Sequence, residues 1–255
     1  MILPMFICHG SPDLMLQNNE YTRFLRKTGD KLRPKAIVIF TAHFEEEITT
    51  ICFRDNAYDM IYDFYGFPKE LYSIKYQAIG SKEVALKLKK LLDEVGIKSA
   101  FNKTRGIDHG TWSVLKLMFD KAPVPVIQVS INPYLRPEEQ YEIGKAIRSL
   151  ADEDILVIGS GATVHNLSEI EWDKNDPEPW AVEFDDWLID KVEKKDLKAL
   201  YSYRKLAPYA KRAVPREEHL APLFVAMGSG SEKSKPKALF RIYEYGTLSY
   251  IFFQF

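Results

Sequence analysis

Residues 35–44 read KAIVIFTAHF. The run is apolar without alternation and rich in β-branched side chains, which fits a strand covered on both faces of a sheet. It closes on His43. The same design occurs at FICHGSP (6–12), where a buried run meets His9, and at ILVIGSGATVH (155–165), which leads to His165. Further buried strands are read at LPMFIC (3–8), ITTICF (48–53) and VPVIQVSI (124–131), the last ending at Asn132. Because the chain has only five histidines, their recurrence at strand ends is a lead to function.

Helical patterns lie between the strands. SKEVALKLKKLLDEVG (81–96) sets Val84, Leu88, Leu91, Leu92 and Val95 on one stripe, with Ser81 as cap and Gly96 as stop. RPEEQYEIGKAIRSLADE (136–153) begins with a proline and two acids, which suit a helix N-terminus. PEPWAVEFDDWLIDKVEKKD (177–196) is amphipathic, and residues 237–255 read as a hairpin turning near Gly246. Alternating strands and helices give an α/β class. We expect a single catalytic domain over residues 1–255, with a central, largely parallel mixed sheet flanked by helices. The active site should lie at the carboxyl ends of the strands.

Bulk properties narrow the function. Of 255 residues, 46% are hydrophobic and 28% charged, with a net charge of −1. A basic groove for nucleic acid or a polybasic membrane anchor needs a surplus of positive charge that this chain lacks. No apolar run has the length of a membrane span, and MILPMFIC lacks the features of a signal peptide. Cys8 and Cys52 both sit in apolar strands, as buried thiols of a reduced cytoplasm would. The expected partners are therefore small molecules, with no nucleic acid and no membrane, for a monomer or small homo-oligomer.

Taken singly, a histidine is more often a surface or satisfied core residue than a functional one. Together the five differ. His9, His43 and His165 follow strands, while His109 (DHGTW) and His219 (EEHLAP) stand in loops leading into helices, where ligands and catalytic groups gather. Clustered neutral imidazoles suit zinc, iron, copper or nickel. Three protein ligands would leave positions open for substrate, the mark of a catalytic metal. A Cys8–His9 nucleophile is weaker, because successive strand residues point to opposite faces. GSGAT lacks the third glycine of a dinucleotide fingerprint.

CHGSP, TAHF, YDFYGFP, GIDHGTWSVL, VIQVSI, GSGATVHNL and EEHLAPL, in that order, resemble the type III extradiol ring-cleaving dioxygenases, in the branch similar to 4,5-DOPA extradiol dioxygenase. The resemblance runs from His9 to Gly228. It implies one divalent metal ion per chain on His9, His43 and His219, with Glu217 or Glu218 as an alternative third ligand. Fe(II) would serve dioxygenase chemistry, whereas zinc favours a three-histidine site. It further implies His165 as acid–base, His109 as a donor that orients oxygen or substrate, and Tyr65 as a polar contact; we expect Asp108, and Asn132 from the end of its strand, as further substrate contacts. The substrate would be a small DOPA-like catechol with dioxygen, a single ring with a short side chain. A zinc-dependent hydrolase on the same scaffold, or a metal-binding protein without catalysis, are the competing readings.

Overall fold

β2 (Ala36–Glu45) is the axis of the molecule. In the computed structural model, which describes residues 2–174 and 176–255, its side chains are buried alternately on two faces. Ile37 and Ile39 pack in one core cluster, Val38 and Phe40 in another. Two-sided burial explains the uninterrupted apolar run. The other strands are β1 (Met5–Cys8), β3 (Thr49–Cys52), β4 (Ser99–Asn102), β5 (Val126–Ile131), β6 (Ile155–Gly161), β7 (Lys237–Glu244) and β8 (Leu248–Gln254). They form one sheet in the order β4-β3-β5-β2-β6-β1-β8-β7. β5, β2, β6 and β1 pair in parallel, and β3 and β8 join them antiparallel. The sheet is therefore mixed with a parallel centre, as expected. β4 was not read from the sequence, for SAFN is only four residues long and is not fully buried.

α1 (Glu20–Gly29), α2 (Lys82–Glu94), α3 (His109–Met118), α4 (Pro137–Ala146), α5 (Pro179–Glu193), the short α6 (Leu197–Tyr201), α7 (Tyr203–Leu206) and α8 (Ala210–Ala213), and α9 (Ala221–Ser229) fill the remainder with a few 3-10 turns. α1 and α3 bury Tyr21, Leu25, Trp112 and Leu115 against the Ile37 face. α4 and α9 bring Ile143, Ala221 and Val225 to the Val38 face. Ser81 accepts from the Val84 amide and caps α2, as its sequence predicts. Cys8 and Cys52 are free and buried. Among the described residues no helix is long and apolar enough to cross a membrane.

Two glycines position the site. Gly10 turns the chain away from His9 with φ +67°, and a Cβ there would meet the Tyr250 ring at 2.8 Å. Gly161 lets β6 approach the turn before α9 so closely that a Cβ would lie 2.1 Å from the His219 carbonyl oxygen. That carbonyl accepts from the Ala162 amide at 2.9 Å, so β6 fixes the backbone from which His219 projects.

Candidate metal and active site

Five imidazoles converge at the carboxyl edge of the parallel strands. His9 follows β1 and His43 lies within the end of β2. His109 opens α3, capped by Asp108. His165 follows β6, and His219 precedes α9. Ring centroids of His43 and His109 are 4.1 Å apart, those of His9 and His219 5.2 Å, and His165 stacks on His219 at 3.4 Å.

Hydrogen bonds fix which nitrogen faces inward. The Ser160 hydroxyl donates to the Gly110 carbonyl at 2.5 Å, so its oxygen accepts from His9 Nδ1 at 3.0 Å. Asp63 accepts from His43 Nδ1 at 3.0 Å through one oxygen, and from His109 Nδ1 at 2.8 Å and the His109 amide through the other. Glu218 accepts from His219 Nδ1 at 3.1 Å. In these four rings Nδ1 is thus committed, and in the neutral form Nε2 keeps its lone pair for the interior, the arrangement that metal-ligating histidines adopt.

The interior is where charge is missing. His9 Nε2 and His43 Nε2 face each other at 3.2 Å, and as neutral acceptors they repel unless a proton or a metal ion lies between them. Two imidazoles at 2.0–2.1 Å from one tetrahedral zinc would sit about 3.3 Å apart. His219 Nε2 is buried without a hydrogen-bond partner, which is costly for a polar atom. Ligand atoms of His9, His43 and His219 lie within 4.8 Å of one another. The donor set fits a divalent ion. Two other trios, His43–Asp63–His109 and His165–Glu218–His219, meet the same distance, but their carboxylates are already occupied in holding imidazoles.

The electrostatics agree with neutral imidazoles at His9, His109, His165 and His219. Burial, then the neighbouring histidines, pushes His9 and His219 well below the usual imidazole range, and His165 to about 3. Burial and His43 lower His109, against the pull of Asp63. His43 runs the other way, since its bond to Asp63 and nearby carboxylates outweigh burial. Burial would raise Asp63, yet the bonds from His109 and His43 hold it well below the carboxylate range. Burial pushes the Cys8 thiol up to about 12, which removes it as a thiolate nucleophile at neutral pH.

A cavity of about 400 Å³ opens over His9, His43, His109 and His165. Not every expected contact reaches it. Asp108 is fully buried and accepts from Thr41, Thr111 and Arg105, a structural cap rather than a substrate group. Asn132 does stand at the end of β5, but in a separate cleft, where it donates to the Glu47 carbonyl. Tyr65 reaches the mouth of the cavity and is 91% exposed. Glu217 turns away to Tyr203 and Arg204, and Glu218 stands behind His219. Asp63 and Ser160 were missed, although both lie within quoted motifs, YDFYGFP and GSGATVHNL. Their partners are 46 and 151 residues away, a distance no spacing pattern bridges.

Residues 10–253 match the family described as the catalytic LigB subunit of aromatic ring-opening dioxygenase. The chain is 37% identical over 255 residues to a 4,5-DOPA dioxygenase extradiol of Beta vulgaris, covering 98% of this chain and 95% of that one. It is 37% identical over 186 residues to the 4,5-DOPA dioxygenase extradiol of Escherichia coli (strain K12), covering 72% and 68%. The crystal structure of an uncharacterized protein from Escherichia coli K12 aligns with TM-score 0.85 and 29% identity, over 100% of this chain and 99% of that one.

Proposed function

The chain belongs to the aromatic ring-opening dioxygenase family of the catalytic LigB subunit, and on that premise we propose that it opens the ring of a small monocyclic catechol beside its diol. One divalent ion would be held by His9, His43 and His219, with His165 as acid–base. The observation that carries this reading is the inward Nε2 set, in which two lone pairs meet at 3.2 Å and a third has no partner.

Held by His9, His43 and His219, a ferrous ion would supply Lewis acidity toward the diol and a path for electrons between ring and dioxygen. The residues supply the remainder. Ser160, Asp63 and Glu218 hold the ligand imidazoles in one tautomer. His165 is neutral at pH 7 because it is buried beside other imidazoles, and its ring nitrogens have no protein hydrogen bond among the described residues. Its unbonded ring nitrogens leave it free to accept a diol proton and later return it to oxygen, the exchange that general acid–base catalysis requires, while its burial makes it a weaker base than a free imidazole. His109 presents Nε2 as an acceptor, and becomes a donor only once protonated, with Asp63 balancing its charge. Phe64, beside His109 with ring centroids 5.6 Å apart, walls the space for a flat ring.

The test is anaerobic loading with Fe(II), followed by oxygen uptake with catechol, DOPA, protocatechuate and 2,3-dihydroxybiphenyl. Consumption of oxygen with yellow ring-opened products is expected, with the single-ring diols preferred. No uptake with any of them, alongside ester or amide hydrolysis by the zinc form, would replace this reading with the hydrolase.

A further inference from the structure

We propose that the cavity selects catechols whose ring substituent is uncharged and apolar, and discriminates against those carrying a carboxylate. This rests on the ring-opening reading above and specifies the substrate class of the same site.

The first observation is volume. An apolar cavity of about 150 Å³ holds one benzene ring, whereas this one measures about 400 Å³. The space beyond the histidines can therefore take a substituent. The second is its wall, formed by Phe64, Phe67, Leu167, Ile170, Trp172 and Leu248. Leu167 and Trp172, 63% and 59% exposed, stand at the mouth with their apolar surface open to solvent.

The third is charge. No lysine or arginine lines the cavity among the described residues. Lys174, two residues from Trp172, is tied to Glu171 and Glu178, and Lys69, two residues from Phe67, is exposed and stands outside the lining. The acidic side chain that does face the cavity is Asp63, which accepts from His43 and His109. A substrate carboxylate lying against this wall would give up part of its water without gaining a counter-ion, an unfavourable exchange. An alkyl group there gains roughly fourfold in affinity for each methylene buried.

Matched pairs test this. On the Fe(II)-loaded protein, kcat/KM for 4-propylcatechol should exceed that for 3-(3,4-dihydroxyphenyl)propionate by tenfold or more. Calorimetry on the metal-free protein should rank the non-chelating pair 4-propylphenol and 3-(4-hydroxyphenyl)propionate in the same order. Equal or better use of the carboxylates in either comparison overturns the proposal. If no diol consumes oxygen, ring opening fails, and the calorimetric pair still decides the charge preference. Leu167→Arg, at an exposed position, should move the kcat/KM ratio toward the carboxylate by tenfold or more. Ile170→Arg supplies the same charge from deeper in the wall, should the first variant fold poorly. An unchanged ratio in a folded variant would show that the substituent does not lie there, and would also overturn it.

Discussion

Asp63 is one carboxylate holding two imidazoles, His43 and His109, with a different oxygen for each. Asn at this position can accept from one of them but must offer its amide to the other, which then loses its tautomer or its bond. Asp63→Asn should weaken metal affinity by about 10–100-fold, the usual effect of losing such a partner. Competition with a chelator measures it, and an unchanged affinity would remove Asp63 from the ligand scaffold. His165 has no such anchor and stacks on His219 instead. His165→Ala should keep its metal yet lose about 10²–10⁴-fold in turnover; loss of the metal would make His165 a ligand. The histidines were legible in the sequence because they are few and stand beside strands. Asp63 was not, since an acid within an aromatic turn carries no periodicity, and its role exists only once His43 and His109 are brought to it.

At the scale of elements, the site depends on how closely β6 passes the turn before α9. Gly161→Ala would drive a Cβ into the His219 carbonyl. Overpacking of this kind costs about 1–3 kcal/mol, and each kcal/mol lowers Tm by about 2–4 °C in a chain of this size. Gly161→Ala should therefore lower both Tm and metal content, and a calorimetric scan with metal analysis checks both. A variant that matches the parent in both would mean the contact relaxes freely. The strands that carry the histidines were readable because burial on both faces leaves an unbroken apolar run. α6, α7 and α8 were not, for four or five residues are too few to show a helical period.

Across the whole molecule, protonation and the proposed metal would act on the same imidazoles. His9, His165 and His219 have folded values below the unfolded value of about 6.5. An imidazole lowered by folding contributes stability that is complete above about pH 6.5 and is lost as acid protonates the unfolded chain first. His43, raised by folding, has the opposite sign and is outnumbered. The metal-free protein should lose stability as the pH falls from about 6.5 toward 3, and a rise in Tm over that interval would contradict the buried neutral cluster. A bound ion should oppose this loss. At a free concentration 100 times Kd it adds about 2.7 kcal/mol, or about 5–10 °C in Tm at the same sensitivity, reversed by chelation. Strand order is the part of this scale that the sequence did not disclose, because parallel neighbours such as β1 and β6 lie some 150 residues apart.

β1 is held between β6 and β8, pairing Met5 with both Ile158 and Gln254. The Tyr250 hydroxyl of β8 accepts from the Ser11 amide at 3.2 Å, directly after the turn that carries His9. The strand that leads to His9 therefore has both its neighbours only when β8, from the far end of the fold, is in place. A nascent chain halted after α9 holds all five histidines yet has an open edge where β8 belongs. Loss of β8 should therefore reach across the sheet to the turn that carries His9, although none of the five histidines lies on that strand.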